Sequence, residues 1–441
     1  MLPLWPLLLL AQAQTPPVGI LELQSVRALP GRLDQIPTFN SNSPELVTGN
    51  GILLSTFPPS YGQNPQAHLD FALKGRFDLF AHHIAKTPDG RTLYLGLLLH
   101  NPGLQPVTVD ILQAASHLTQ PDAPFLDLPP LVDNLLGNVF AGPGSRVTND
   151  ILRNVRQADW PGQVILAPRT SQMLTVLPIY GYNGRSTLAR LRSSGPIYAA
   201  SLALVAPTDF TGQEFLPTLT DWENLLTTGT LAAPRDLAPT PPGSTGNFIY
   251  GRVAGVALGS RWQAELSDSP QARFLTIPTP GSAISYVLST ASFGTLGTQQ
   301  VQSAPMQVRY PDTAYLAHGN YGIEYNLSFT LANSTAQPQT VTLSLQSPRK
   351  PLQDVPENAL RFSDPPDNQV TFRGTVRVRY NDEADLPQTR YAHLVLRRGQ
   401  QGSPLFTLIL PATSQRLVYV DYLYPPDSTP PQVLTLRTSA P

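Results

Sequence analysis

A chain of 441 residues is longer than one hydrophobic core usually serves, so two or three domains are expected. Its 29 basic and 30 acidic residues nearly cancel, which excludes the basic footprint of a nucleic-acid binder, and the lack of cysteine excludes disulfides, thiolate nucleophiles and Cys-ligated metals. Charged residues make up 13%, about half the usual ~25%, and 47 prolines punctuate the chain, so short strands and turns are favoured over long helices.

The first apolar run, Leu2 to Leu10, ends in Ala11-Gln12-Ala13, the small-x-small pattern of a cleavage site. Residues 1–13 therefore read as a signal peptide, which implies export to the periplasm, cell surface or extracellular space. No later run approaches the ~18 apolar residues of a membrane span, so none is expected in the mature chain. Residues 14–64 read as an N-terminal wrapping segment, with a strand over Val18–Val26, an aperiodic passage from Pro30 to Pro44 and a strand over Gly51–Phe57.

Residues 65–210 read as a first β-sandwich domain. Strands are predicted at Phe71–Ala85, Thr92–His100 and Val107–Leu112, with Asn101-Pro102-Gly103 as a turn between the last two. Leu131–Phe140 and Asn149–Arg156 carry helical spacing, and strands resume at Val164–Leu166, Met173–Leu177 and Ile197–Ala206. Residues 211–318 form a mixed middle region: a helix over Thr218–Leu231 capped by Thr220 or Asp221, a Pro-rich linker over Ala232–Thr245, and strands at Phe248–Leu258 and Ile284–Leu288. Residues 319–441 return to short strands between Tyr321 and Leu436 and read as a second β-sandwich domain.

The first and last thirds resemble each other. LLLHNPGLQPVTV (Leu97 to Val109) aligns with FTLANSTAQPQTV (Phe329 to Val341), pairing Asn101 with Asn333, and Leu166 to Leu174 aligns with Leu410 to Leu417. Two anchors in the same order suggest duplication. The fold expected is mainly β: two immunoglobulin-like sandwiches with a mixed middle region and a few short helices.

No catalytic set emerges. His82 and His83 are adjacent, and neighbours on a strand point to opposite faces, so packing of one and exposure of the other is expected. His68 and Asp70 share a face but lack a third ligand. Asp382, Glu383 and Asp385 form the densest acidic cluster, the candidate site for calcium, although a solvated hairpin tip explains them as well. No other cofactor is suggested. Gly142-Pro143-Gly144-Ser145 invites comparison with a phosphate cradle but lacks the Gly-Lys-Ser/Thr that would follow, and a turn is expected. Tyr419, Tyr422 and Tyr424 are the candidate ligand-binding surface, with packing as the alternative. A glycosidase needs two carboxylates flanking a cleft, and Asp221 with Glu223 or Asp209 with Glu214 can be nominated for it only arbitrarily.

Four strings carry a family resemblance: LPGRLDQIPTFNSNSPELV (Leu29 to Val47), GILLSTFPPSYGQNPQAHLDFALKGRFDLFAHHIAK (Gly51 to Lys86), FAGPGSR (Phe140 to Arg146) and RVAGVALGSRW (Arg252 to Trp262). They are similar to a family of exported cyanobacterial proteins carrying a domain of unknown function. The resemblance implies export and supplies no activity, cofactor or site residue. The expected role is that of a non-enzymatic envelope or extracellular protein that binds a surface component such as a polysaccharide, a pilus or an outer-layer protein. The alternative is a secreted glycan hydrolase with its site between the sandwiches.

Overall fold

Short runs of β-branched and aromatic residues bounded by Pro, Gly and Asn give a chain that is mainly β. The computed structural model describes residues 18–245, 247–350, 356 and 358–440; the expected signal peptide, residues 1–13, lies outside them. Among the described residues two α-helices occur, Pro143–Leu152 and Leu219–Thr228, and no helix is long and apolar enough to cross a membrane.

One strand organises the amino-terminal half. Asn183–Val205 pairs antiparallel with Leu73–Ala85 and Val107–Leu118 along its first part, and with Leu93–His100 and Gly51–Ser55 along its last. The change of partners falls where the register shifts between Ser193 and Ile197, a stretch containing Gly195 and Pro196, and proline cannot donate to a ladder. Residues from both sets of partners, among them Phe77, Leu79, Leu97, Leu99 and Leu191, share one buried cluster.

In the carboxy-terminal half, an eight-stranded sheet includes Glu324–Ala332, Val370–Asn381, Pro387–Arg397 and Gln415–Leu423. A five-stranded sheet includes Ala283–Leu288, Gln339–Gln346, Pro404–Leu410 and Gln432–Thr438. Phe329, Val376, Leu394 and Val420 of the first sheet meet Ile284, Val341, Leu408 and Leu436 of the second in one core, because the alternation of each strand sends its apolar residues to the same face.

The two halves are laced together. Val18–Leu23 pairs with Ala359–Asp364, Ser25–Arg27 with Ala283–Leu288 and Arg32–Leu33 with Arg261–Glu265, all in the carboxy-terminal half. Pro37–Ser41 then enters the amino-terminal sheet between Leu73–Ala85 and Ala254–Leu258. The passage from Pro30 to Pro44 is thus partly strand. The strands of residues 211–318 are divided in the same way, Ala254–Leu258 to one half and Arg261–Glu265 with Ala283–Leu288 to the other.

The helix Pro143–Leu152 sits at the joint. Its Val147, Ile151 and Leu152 pack with Phe80, Ala115 and Leu188 of one half and Leu423 of the other. Beside it, Glu324 takes Arg190 at 2.8 Å and Arg261 at 2.9 Å, and Arg190 lies 3.7 Å from Asp78. Burial works to raise the Glu324 carboxyl, but Arg190, Arg261 and the Asn326 amide outweigh it and hold it below the usual carboxylate range.

Three helical expectations are corrected. Leu131–Phe140 is not helical: Leu131–Asp133 is a strand paired with Pro387–Arg397, and Leu135 and Leu136 are exposed, so the apolar spacing marks no buried face. The helix expected over Asn149–Arg156 starts six residues earlier and ends at Leu152. The later helix is capped by Thr218 rather than by Thr220 or Asp221, with Asp221 completing a capping box as its third residue.

The two aligned asparagines make matching bonds. Asn101 Nδ2 donates to the carbonyls of Gln105, Leu166 and Ala167 at 2.8, 3.1 and 3.1 Å. Asn333 Nδ2 donates to those of Gln337, Leu410 and Pro411 at 2.9, 3.0 and 2.9 Å. Each Oδ1 accepts the backbone N–H two residues on, from Gly103 and Thr335.

Candidate functional site

The residues proposed from sequence as ligands do not converge. Asp382 accepts the N–H groups of Ala384 and Leu386 and the amide of Gln388; Glu383 accepts the Ile409 N–H; Asp385 pairs with Arg416. The three close a hairpin tip, and among the described residues no group of three His, Asp or Glu side chains is arranged to hold a metal ion. Tyr422 and Tyr424 are 1% and 0% exposed, one stacked on Tyr325 at 5.0 Å and the other donating to Gln432, so only Tyr419, beside Arg379, reaches the surface. They form no common platform.

Three of the four acidic residues nominated as pairs are already engaged. Asp221 accepts the Thr218 N–H in the capping box of its own helix, Asp209 closes a turn onto Thr211 and Gln213, and Glu214 accepts the Thr92 N–H. His68 bonds Ser55 at 2.8 Å inside the amino-terminal half.

Chemistry gathers instead in a cleft of about 450 Å³ between the halves. Its walls include Asn42, Glu45, His82, Phe125, Tyr182 and Arg252 from one side and Tyr321, Arg373 and Asp427 from the other. His82 and His83 divide as strand alternation requires. His83 is fully buried against Ser41 and the Pro44 carbonyl, while His82 faces the cleft, held at Nδ1 by Ser186 Oγ at 2.8 Å. Burial, with His83 and Arg252 nearby, pushes His82 down to about 3, so it is neutral at physiological pH.

Glu45 follows the strand Pro37–Ser41. Its carboxylate pairs with Arg252 and lies 3.7 Å from His82 Nε2, and its backbone N–H donates to Asp236 at 3.2 Å. Burial raises its carboxyl above the usual value and Asp236 adds to the rise, while Arg252 opposes it.

Asp427 explains the Gly142-Pro143-Gly144-Ser145 string. Its carboxylate accepts the Gly144 N–H at 2.8 Å, at the N-terminus of the helix Pro143–Leu152, where free N–H groups attract negative charge. The string does cradle an anion, one supplied by the other half of the chain. A Cβ on Gly144 would stand 2.7 Å from Asp427 Oδ2, so the approach needs glycine. Burial pushes Asp427 up to about 6 despite that bond and Arg373, and Glu45 contributes to the rise.

A smaller chamber of about 230 Å³ adjoins the cleft and shares Asn42, Arg252 and Tyr321 with it. It is built by the segment before Ala254–Leu258, which brings Tyr250, and by the turn before Glu324–Ala332, which brings His318, Asn320 and Tyr321. Asn320 sits at φ 54°, a left-handed conformation that asparagine tolerates, and its Nδ2 donates to Ser289 and Thr290. This turn directs Tyr321 toward both spaces.

Aromatic faces, amides, two guanidinium groups and two carboxyls of raised pKa suit a hydroxyl-rich ligand, and Asp427, at about 6, can exchange protons near neutral pH. Sequence reasoning missed Glu45, Arg252, Arg373 and Asp427, because the elements carrying them meet only in the folded chain. One signal was present: each of the four strings carrying the family resemblance supplies a wall residue, among them Glu45, His82, Pro143 and Arg252.

Three solved structures show distant likeness. Lac15 from a marine microbial metagenome is 12% identical, covering 80% of this chain and 50% of its own, with a TM-score of 0.11, so this chain spans half its length. The CBM22-1–CBM22-2 tandem domain of Paenibacillus barcinonensis Xyn10C is 10% identical over 89% and 99%, with a TM-score of 0.15. The coconut allergen cocosin is 10% identical over 82% and 77%, at 0.11. None of these likenesses informs fold or function, and no curated protein matches the chain. Over residues 24–438, which take in every cleft residue named above, the sequence matches the family described as "Protein of unknown function (DUF3370)", and the chain belongs to that family.

Proposed function

We propose that this is an exported, non-enzymatic envelope or extracellular protein, built from two duplicated immunoglobulin-like sandwiches, that holds a saccharide chain of the cell surface in the cleft between its halves. The observation carrying the reading is the convergence of Tyr182, Tyr321, Phe125, Arg252, Arg373, Glu45 and Asp427 on one cleft drawn from both halves. Aromatic faces stack on sugar rings, and paired charged groups bond sugar hydroxyls in fixed directions. The matching bonds of Asn101 and Asn333 support the duplication. A glycan array probed with the full chain, followed by titration of the retained glycan, tests the reading. Retention of a defined glycan, weakened at least tenfold by Arg252→Ala, is expected; equal retention by that variant overturns the cleft as the site.

A second reading is favoured by one observation: Glu45 and Asp427 are both raised and face the same cleft. A glycan hydrolase needs one carboxyl protonated near its working pH and a second as base or nucleophile. Incubation of the retained glycan with the chain, followed by sizing, separates the two readings. Unchanged length supports binding alone, and shortening that stops in both Glu45→Gln and Asp427→Asn supports hydrolysis.

A further inference from the structure

Resting on the saccharide reading of the cleft, we infer that the smaller chamber is a subsite for a single neutral, hydroxyl-rich sugar ring, the unit that ends or anchors the bound chain. Four buried polar atoms on its lining residues have no partner: Oδ1 of Asn40, Asn42 and Asn320, and Nδ1 of His318. These residues are 4%, 4%, 1% and 9% exposed. A buried polar atom left unpaired costs about 1–3 kcal/mol, so four in one place call for a ligand that completes them.

The chemistry of the four narrows the ligand. Asn320 spends its Nδ2 on Ser289 and Thr290, which leaves the carbonyl oxygen as the free end. The three amide oxygens accept only, so the ligand must bring donors. Burial lowers His318 to about 4 and keeps its ring neutral, with one nitrogen able to accept. A metal ion or an amino sugar would bring positive charge, but the charged residues lining the chamber are Arg252 and Lys350, and no Asp or Glu lines it. An acidic sugar could pair with Arg252 or Lys350 at the lining, but a carboxylate placed among the three amide oxygens would meet acceptors only. A neutral polyol meets both conditions.

Size and shape agree. About 230 Å³ lies below the ~300–1,000 Å³ of pockets for drug-sized ligands, which suits one ring. Tyr250 packs against His318 with ring centroids 4.5 Å apart, and Tyr321 borders both spaces, so the ring has aromatic faces to lie on. The shared Asn42, Arg252 and Tyr321 let the rest of the saccharide continue into the larger cleft. The Asn42 oxygen has no partner, so turning that amide toward a hydroxyl breaks no bond at that atom.

The test is calorimetric titration of the full chain with neutral hexaoses (malto-, cello- and mannohexaose), hexagalacturonate and a chitosan hexamer, repeated with Asn42→Ala and Asn42→Asp. At least one neutral hexaose is expected to bind with at least tenfold advantage over both charged hexamers, and both variants are expected to lose at least tenfold while melting as the unmodified chain does. Tight binding of a charged hexamer with the neutral ones excluded overturns the subsite and leaves the saccharide cleft standing. So does neutral binding that Asn42→Ala leaves unchanged. Binding of no hexamer of any class overturns the cleft reading and the subsite together. Should Asn42 variants melt early, His318→Phe, which removes another of the unpaired atoms lining the chamber, takes their place with the same outcomes.

Discussion

Asp427 accepts a helix N-terminal N–H yet keeps a carboxyl raised to about 6, because burial outweighs the bond. Its folded pKa lies above the unfolded one, so the folded chain holds a proton that the unfolded chain lacks between the two values. Its contribution to stability is full below the unfolded pKa and is lost as pH rises through about 6. Asp427→Asn keeps an acceptor for Gly144 and removes the titration. The variant should gain on the unmodified chain between pH 4 and 7 in urea melts, and a constant difference would show that Asp427 is not raised. Glu324 runs the other way. Its lowered carboxyl contributes above the ordinary pKa, and that contribution is lost as pH falls through the folded value. Glu324→Ala should cost about 3 kcal/mol near neutral pH, since it leaves buried Arg190 only the more distant Asp78 carboxylate, and the deficit should shrink in acid. At this scale the sequence was a partial guide. Strand alternation predicted the division of His82 from His83, whereas the tyrosine cluster misled because Tyr422 and Tyr424 belong to the core face of their segment.

Asn101 and Asn333 each tie a turn to a neighbouring strand with three bonds from one amide. Replacing either by alanine should cost about 2–4 kcal/mol in denaturant melts, because three carbonyls lose their donor together. Similar costs at the two sites are expected if the halves are copies, and unequal costs would count against duplication. Many strands were legible from alternation and turn residues, as was the helix Leu219–Thr228, whose cap lies within its own sequence. The start of the helix Pro143–Leu152 was not legible, because the group that completes its N-terminus comes from Asp427. Gly144→Ala should therefore displace Asp427 and lower the melting temperature, even though alanine is the better helix former. Leu131–Asp133 was misread for a related reason: pairing with a strand in the other half overrides the local spacing.

The halves share a helix, an ion network and strands that cross between them, so they should unfold as one. Residues 319–441 alone lack Ser25–Arg27, Arg261–Glu265 and Ala283–Leu288, which complete their two sheets. That fragment should show no cooperative melt by circular dichroism, and a sharp transition would show that the crossing strands are dispensable. Composition announced a β-rich chain of more than one core. It did not announce the lacing, since short strands such as Arg32–Leu33 carry too few residues for a periodic signal. The lacing also sets a timetable for biosynthesis. Val18–Leu23 is made well before its partner, Ala359–Asp364, with about 335 residues between them. The earlier strand must wait with its edge unpaired while the intervening chain is made, and closure of the carboxy-terminal half becomes a late, slow event.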